Sequence, residues 1–95
     1  MTSKQRAYLK SLAMKLDPVF NVGKGSVTPD LISAIDEAIE KRELIKIGIL
    51  KNCMDDPKEI AEMIAERTKS QVVQIIGKKI VLYRPNKKDP KIILP

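Results

Sequence analysis

Apolar residues recur at helical spacing in three stretches of the chain and alternate along four others. Residues 3–16 carry Tyr8, Leu9, Leu12, Ala13 and Leu16 on one face, which predicts an amphipathic helix. Thr2 and Gln5 have capping-box spacing at its start, and Asp17-Pro18 ends it, since the residue before proline avoids helical angles. Val19-Phe20-Asn21-Val22 predicts a short strand. A second helix over 29–42 follows from the stripe Leu31, Ile35, Ala38 and Ile39, with Thr28 as N-cap and Pro29 at the first helical position. In Leu44-Ile45-Lys46-Ile47-Gly48-Ile49-Leu50, the isoleucines share one face while Leu44 and Leu50 make the other partly apolar, as for a central strand covered on both sides.

Asp56-Pro57-Lys58-Glu59 marks the start of a third helix, with Glu59 at the capping-box position and Ile60, Ala61, Ile64 and Thr68 on its buried side. Residues 71–76 and 79–84 predict two strands joined through Gly77-Lys78, where glycine in the first loop position fits a type II′ hairpin. In the tail from Asn86 to Pro95, Lys91-Ile92-Ile93-Leu94 is either a short edge strand or loose. The order α-β-α-β-α-β-β predicts one small α/β domain over residues 1–95, with three helices on a mixed four-stranded sheet.

Charge changes this picture. The 95 residues carry a net +6, distributed as +4 over residues 1–29, −5 over 30–66 and +7 over 67–95. A fold that brings the two ends together has one basic and one acidic face, which points to a polyanion such as nucleic acid. The alternative is a non-catalytic interaction module whose basic face docks an acidic protein.

Little catalytic chemistry is available. The chain has no histidine, and its single cysteine, Cys53, has no evident activating neighbour. No nucleophile–base pair stands out, so neither an enzyme nor a bound cofactor or metal is expected. No apolar run is long enough for a membrane helix, and the N-terminus has no apolar signal core; a cytoplasmic monomer is the expectation.

The most informative stretch is Gly23-Lys24-Gly25-Ser26, between a strand end and a helix N-terminus, where free backbone N–H groups and the helix dipole favour an anion. It fits neither the P-loop nor the dinucleotide pattern. A glycine loop clamping nucleic-acid phosphates, as in KH domains, is nearer. A plain turn whose glycines serve only backbone angles is the alternative. Three aromatic residues are too few for a base-stacking sheet.

Pro18-Val19-Phe20-Asn21-Val22-Gly23-Lys24-Gly25, Arg42-Glu43-Leu44-Ile45-Lys46-Ile47 and Gln74 to Pro85 together resemble the bacterial stand-alone CRM-domain proteins of the YhbY-like group. Lys4-Gln5-Arg6 with Leu9, and Leu94-Pro95, extend the likeness over nearly the whole chain. The resemblance implies a fold similar to the C-terminal domain of bacterial translation initiation factor three. It also implies RNA binding and association with ribosomal RNA in large-subunit precursors; relatives in plant organelles act in group II intron splicing. The family loop is usually G-x-x-G, and here its last position is Ser26. The expected RNA-binding set is Gly23, Lys24, Gly25 and Ser26 in the loop, Arg42 and Lys46 around the second strand, Lys78, Lys79 and Arg84 on the hairpin, and Lys4, Arg6 and Lys10 on the first helix.

Overall fold

The computed structural model describes residues 1–95. Seven elements follow one another: α1 (Ser3–Ala13), β1 (Phe20–Val22), α2 (Pro29–Arg42), β2 (Leu44–Ile49), α3 (Pro57–Thr68), β3 (Gln71–Ile76) and β4 (Lys79–Tyr83). Each helix starts where its capping residues stand. Thr2 and Gln5 bond reciprocally, Thr28 accepts from the Leu31 N–H, and Asp56 accepts from the Lys58 N–H. Glu59, expected to close a second capping box, makes no reciprocal bond. The first helix ends at Ala13 rather than 16 because the chain tightens there. Lys15 N–H bonds to Leu12 and Leu16 N–H to Ala13, the i−3 pattern of a tapering helix end.

The sheet order is β1-β2-β4-β3. β1 and β2 are parallel, and β4 runs antiparallel to both β2 and β3. The hairpin therefore inserts its second strand beside the central strand and leaves β3 on the edge. Gly77 has φ +54, as the first position of the two-residue turn requires.

Strand alternation sends side chains into two separate cores. Ile45, Ile47, Ile49, Ile80 and Leu82 meet Ile35, Ile39, Ile60 and Ile64 of α2 and α3. On the other face Leu44, Val73, Val81 and Tyr83 meet Leu9 and Ala13 of α1, with Ile92 and Leu94 of the tail against them. Both chain ends thus lie on one face of the sheet, and the acidic middle supplies the helices of the other.

Two charged side chains, the buried Glu43 and the half-buried Arg6, hold this arrangement. Glu43 caps α2 at φ 66° and is fully buried. One carboxylate oxygen accepts the N–H groups of Lys91 and Ile92 at 2.7 and 2.8 Å, and the other accepts that of Asn86 at 2.7 Å. The tail is consequently neither a strand nor loose: a carboxylate docks it. At the far edge Val73 is the extra residue of a bulge in β3, and Arg6 donates to the Val72 and Val73 carbonyls, both at 2.8 Å. That satisfies oxygens the bulge takes out of the ladder.

Candidate nucleic-acid interface

The Gly23–Ser26 loop is a tight turn closed by the Ser26 N–H on the Gly23 carbonyl at 2.9 Å. Its left-handed residue is Ser26, at φ 57°, while neither Gly23 nor Gly25 has positive φ. The final glycine of the G-x-x-G pattern would suit that conformation without strain. Here serine adopts it, and its hydroxyl bonds to the Asp55 carboxylate. A Cβ on Gly25 would meet nothing within 4 Å, so neither backbone angle nor crowding explains that glycine. The bare backbone at Gly25 is open to an approaching ligand, with the exposed Lys24 beside it.

This loop sits at the carboxyl ends of β1 and β2. The Leu50–Cys53 turn lies against Gly23, where Leu50 Cδ1 would be 3.5 Å from an added Cβ. The hairpin turn closes on the same end, with the Ile49 N–H donating to the Lys78 carbonyl at 2.7 Å. Lys24, Lys51 and Lys78 therefore share one rim. Asp55 is the acidic member of the neighbourhood, and its bond to Ser26 ties it to the loop.

Below that rim, α1 leaves part of its sheet face uncovered. Asn21, Gly48, Lys79 and Ile76 form one row across the four strands. Lys46 lies two residues back along β2, on the same face, and with Lys79, Gln74 and Met14 lines a shallow depression. Gly48 leaves room in that row, since a Cβ there would stand 2.5 Å from Asn21 Oδ1. At the opposite end of β2, Arg42 and Lys46 line a larger groove.

The structure thus brings together the loop, Lys78, Lys79 and Lys46, and carries the surface on to Arg42. Lys4 is exposed on α1 and Lys10 is half-buried in its last turn. Two expected members do not join the set. Arg6 is occupied by the bulge carbonyls. Arg84 is directed to the acidic side: it pairs with Asp36 at 2.6 Å and Glu40 at 3.0 Å and donates to the Thr68 and Asp36 carbonyls. Its side chain is 17% exposed, so it staples α2 and α3 to the end of β4 instead of offering a free charge. Alternation continued from Ile80 and Leu82 puts Arg84 on this same face, a signal in the sequence that the charge count overlooks.

Lys15, Lys41, Lys51 and Lys91 also belong to the basic surface, although no motif singled them out. The Arg84 pairs are the only ion pairs in the molecule, so every lysine on this surface lacks a carboxylate partner within 4 Å.

Glu43 and Tyr83 have clearly displaced titration. Burial raises the Glu43 pKa, but the N–H donors of Asn86, Ile92 and Lys91 and the Lys91 charge outweigh it and hold the carboxyl below the ordinary range. Burial, then the Glu43 charge, pushes the Tyr83 hydroxyl up. Neither faces the basic surface as an acid or base. No three His, Cys, Asp or Glu side chains cluster as a metal site, and no helix is long and apolar enough to cross a membrane.

Known proteins resemble this chain over its whole length. The Bacillus subtilis protein named "Probable RNA-binding protein YqeI" is 46% identical over 95 residues, covering 100% of this chain and 99% of its own. A Haemophilus influenzae protein named "RNA-binding protein" is 36% identical, covering 100% and 95%. The solution structure of the hypothetical protein SAV1595 from Staphylococcus aureus superimposes with a TM-score of 0.84 at 48% identity, covering 100% of this chain and 99% of that one. The family model of the CRS1 / YhbY (CRM) domain matches residues 1–84, and the chain belongs to that family.

Proposed function

We propose that this protein binds RNA without catalysing a reaction, through the basic face built by the glycine loop, the hairpin and the open part of the sheet. The observation that carries this is the set of unpaired cations on one side of a molecule whose acidic helices lie on the other. Unpaired like charges repel one another, and a phosphate backbone relieves that repulsion while releasing its own counterions. The surface has few aromatic side chains, so contacts to the backbone and to RNA shape dominate over base stacking. The names of the two bacterial relatives favour the same partner.

The RNA in this reading is ribosomal, in precursors of the large subunit, and the protein acts there as a cytoplasmic monomer. This finer assignment rests on the family likeness. Crosslinking the protein to RNA in cells and sequencing the attached fragments tests it. Reads concentrated in large-subunit precursor RNA support the assignment; reads spread in proportion to transcript abundance refute it.

A further inference from the structure

The largest concavity, about 490 Å³, lies at the end of β2 opposite the glycine loop. Lys15, Lys41, Arg42, Lys46 and Lys91 line it, with Asp17 as its one carboxylate. These cations come from four parts of the chain: the turn after α1, the end of α2, β2 and the tail. Complementing the helix dipole explains Lys41 and Arg42, in the last turn of α2, but not the other three. The Lys91 ammonium bonds to the Lys41 carbonyl at 3.3 Å and pairs with no carboxylate, and Asp17 makes no ion pair. Five positive groups converge on a hollow lined by one carboxylate, Asp17, with the buried Glu43 acting on Lys91 from behind, so the groove keeps a positive excess.

The tail is essential to this shape. Lys91 is present because Glu43 binds the backbone N–H groups of Asn86, Lys91 and Ile92. The CRM family model matches residues 1–84, so four of the groove's cations lie within the matched residues and Lys91 lies past them.

We infer that this groove is a second RNA-backbone site, separate from the glycine loop, which the C-terminal segment completes. The inference rests on the RNA-binding reading above. Pro18 to Gly23 runs between the two ends, a span of roughly 16 Å at strand rise. One RNA can therefore engage loop and groove together only if it extends across the open sheet face, past Lys46.

The test is binding of a labelled RNA stem–loop with single-stranded flanks, across a salt series, to the parent and to Lys15→Ala, Arg42→Ala and Lys91→Ala. Lys88→Ala removes the same charge from the same tail outside the groove, and Lys58→Ala removes one from α3. The Lys91 change leaves its backbone bond to Glu43 in place. Thermal melts establish that each variant is folded.

Each groove variant is expected to weaken binding roughly fivefold and to reduce the salt slope by about one unit, with under about a twofold effect for the two comparators. Groove variants that bind as tightly as Lys88→Ala, with the parental slope, overturn the inference while leaving the RNA-binding reading intact. A parent that shows no salt-dependent RNA binding refutes that reading itself, and the inference with it. Groove variants that keep their RNA affinity but lose affinity for labelled polyglutamate overturn the inference in favour of an acidic protein partner.

Discussion

Replacing Glu43 by glutamine removes one formal charge and little volume, so the consequences come from three hydrogen bonds. In the parent one oxygen serves Lys91 and Ile92 and the other serves Asn86. Glutamine can keep its carbonyl toward the first pair, but its amide then faces the Asn86 N–H, donor against donor. One charge-assisted bond is lost, about 1.5–3 kcal/mol, the two kept bonds weaken, and two donors face each other without an acceptor at about 1–3 kcal/mol each. Relaxation of the exposed part of the tail recovers some of this, so a net loss of about 3 kcal/mol is expected. For a domain of this size that lowers Tm by about 12–24 °C.

The pH dependence gives the sharper check. The folded carboxyl titrates below its unfolded value of about 4.3, so its stabilisation is complete above that value and is lost as pH falls through the folded pKa. The other carboxylates are common to both proteins and cancel in the comparison. Urea melts at neutral pH and near pH 3 should show the parent–variant gap shrinking in acid, because a protonated Glu43 is as neutral as the glutamine. Equal stability at neutral pH, or a gap that stays constant into acid, would refute the view that an ionised Glu43 docks the tail.

Arg84→Ala should destabilise the domain by about 2–3 kcal/mol in chemical melts, mostly through the Thr68 and Asp36 carbonyls since the paired carboxylates are half exposed; RNA affinity per folded molecule should hold. Gly77→Val should cost roughly 1–2 kcal/mol of unfolding free energy from the positive φ alone, because the space beside it is empty; unchanged unfolding would contradict the turn assignment. Lys24→Ala should weaken binding to structured RNA by about 1 kcal/mol in a titration and leave Tm unmoved, whereas Gly25→Asp should weaken it much further by placing a carboxylate where phosphate approaches. Parental affinity in both loop variants would make the loop structural.

What was legible in the sequence was whatever local chemistry decides. Thr2, Thr28-Pro29 and Asp56-Pro57 mark the three helix starts because caps act within one turn. Ile45, Ile47 and Ile49 show the buried face of β2, and Leu44 shows that the opposite face is covered too, because strand periodicity is read directly from side-chain polarity. The Gly77 turn is legible because its angle excludes most other residues. Charge blocks along the chain anticipate the split between sheet faces, since both chain ends fall on the α1 side.

What depends on contacts distant in sequence was not legible. Glu43 meets residues 43 to 49 positions away, and no local pattern names those partners. A charged residue at a helix C-terminus directly before a buried strand was the available hint. Arg6 and Arg84 count as surface charges by composition, yet their partners lie 66 or 67 and from 16 to 48 positions away. The groove escapes for the same reason: Lys15, Lys46 and Lys91 come together only after the tail has docked.

RNA binding by this face requires that the unpaired cations hold phosphates. Titrating the full chain against a labelled structured RNA over a range of monovalent salt measures this without any mutation. With about five phosphates engaged, log affinity should fall against log salt with a slope of roughly −3 to −5. A slope near zero, or no binding at low salt, would contradict the account and reduce the charge asymmetry to an aid to solubility.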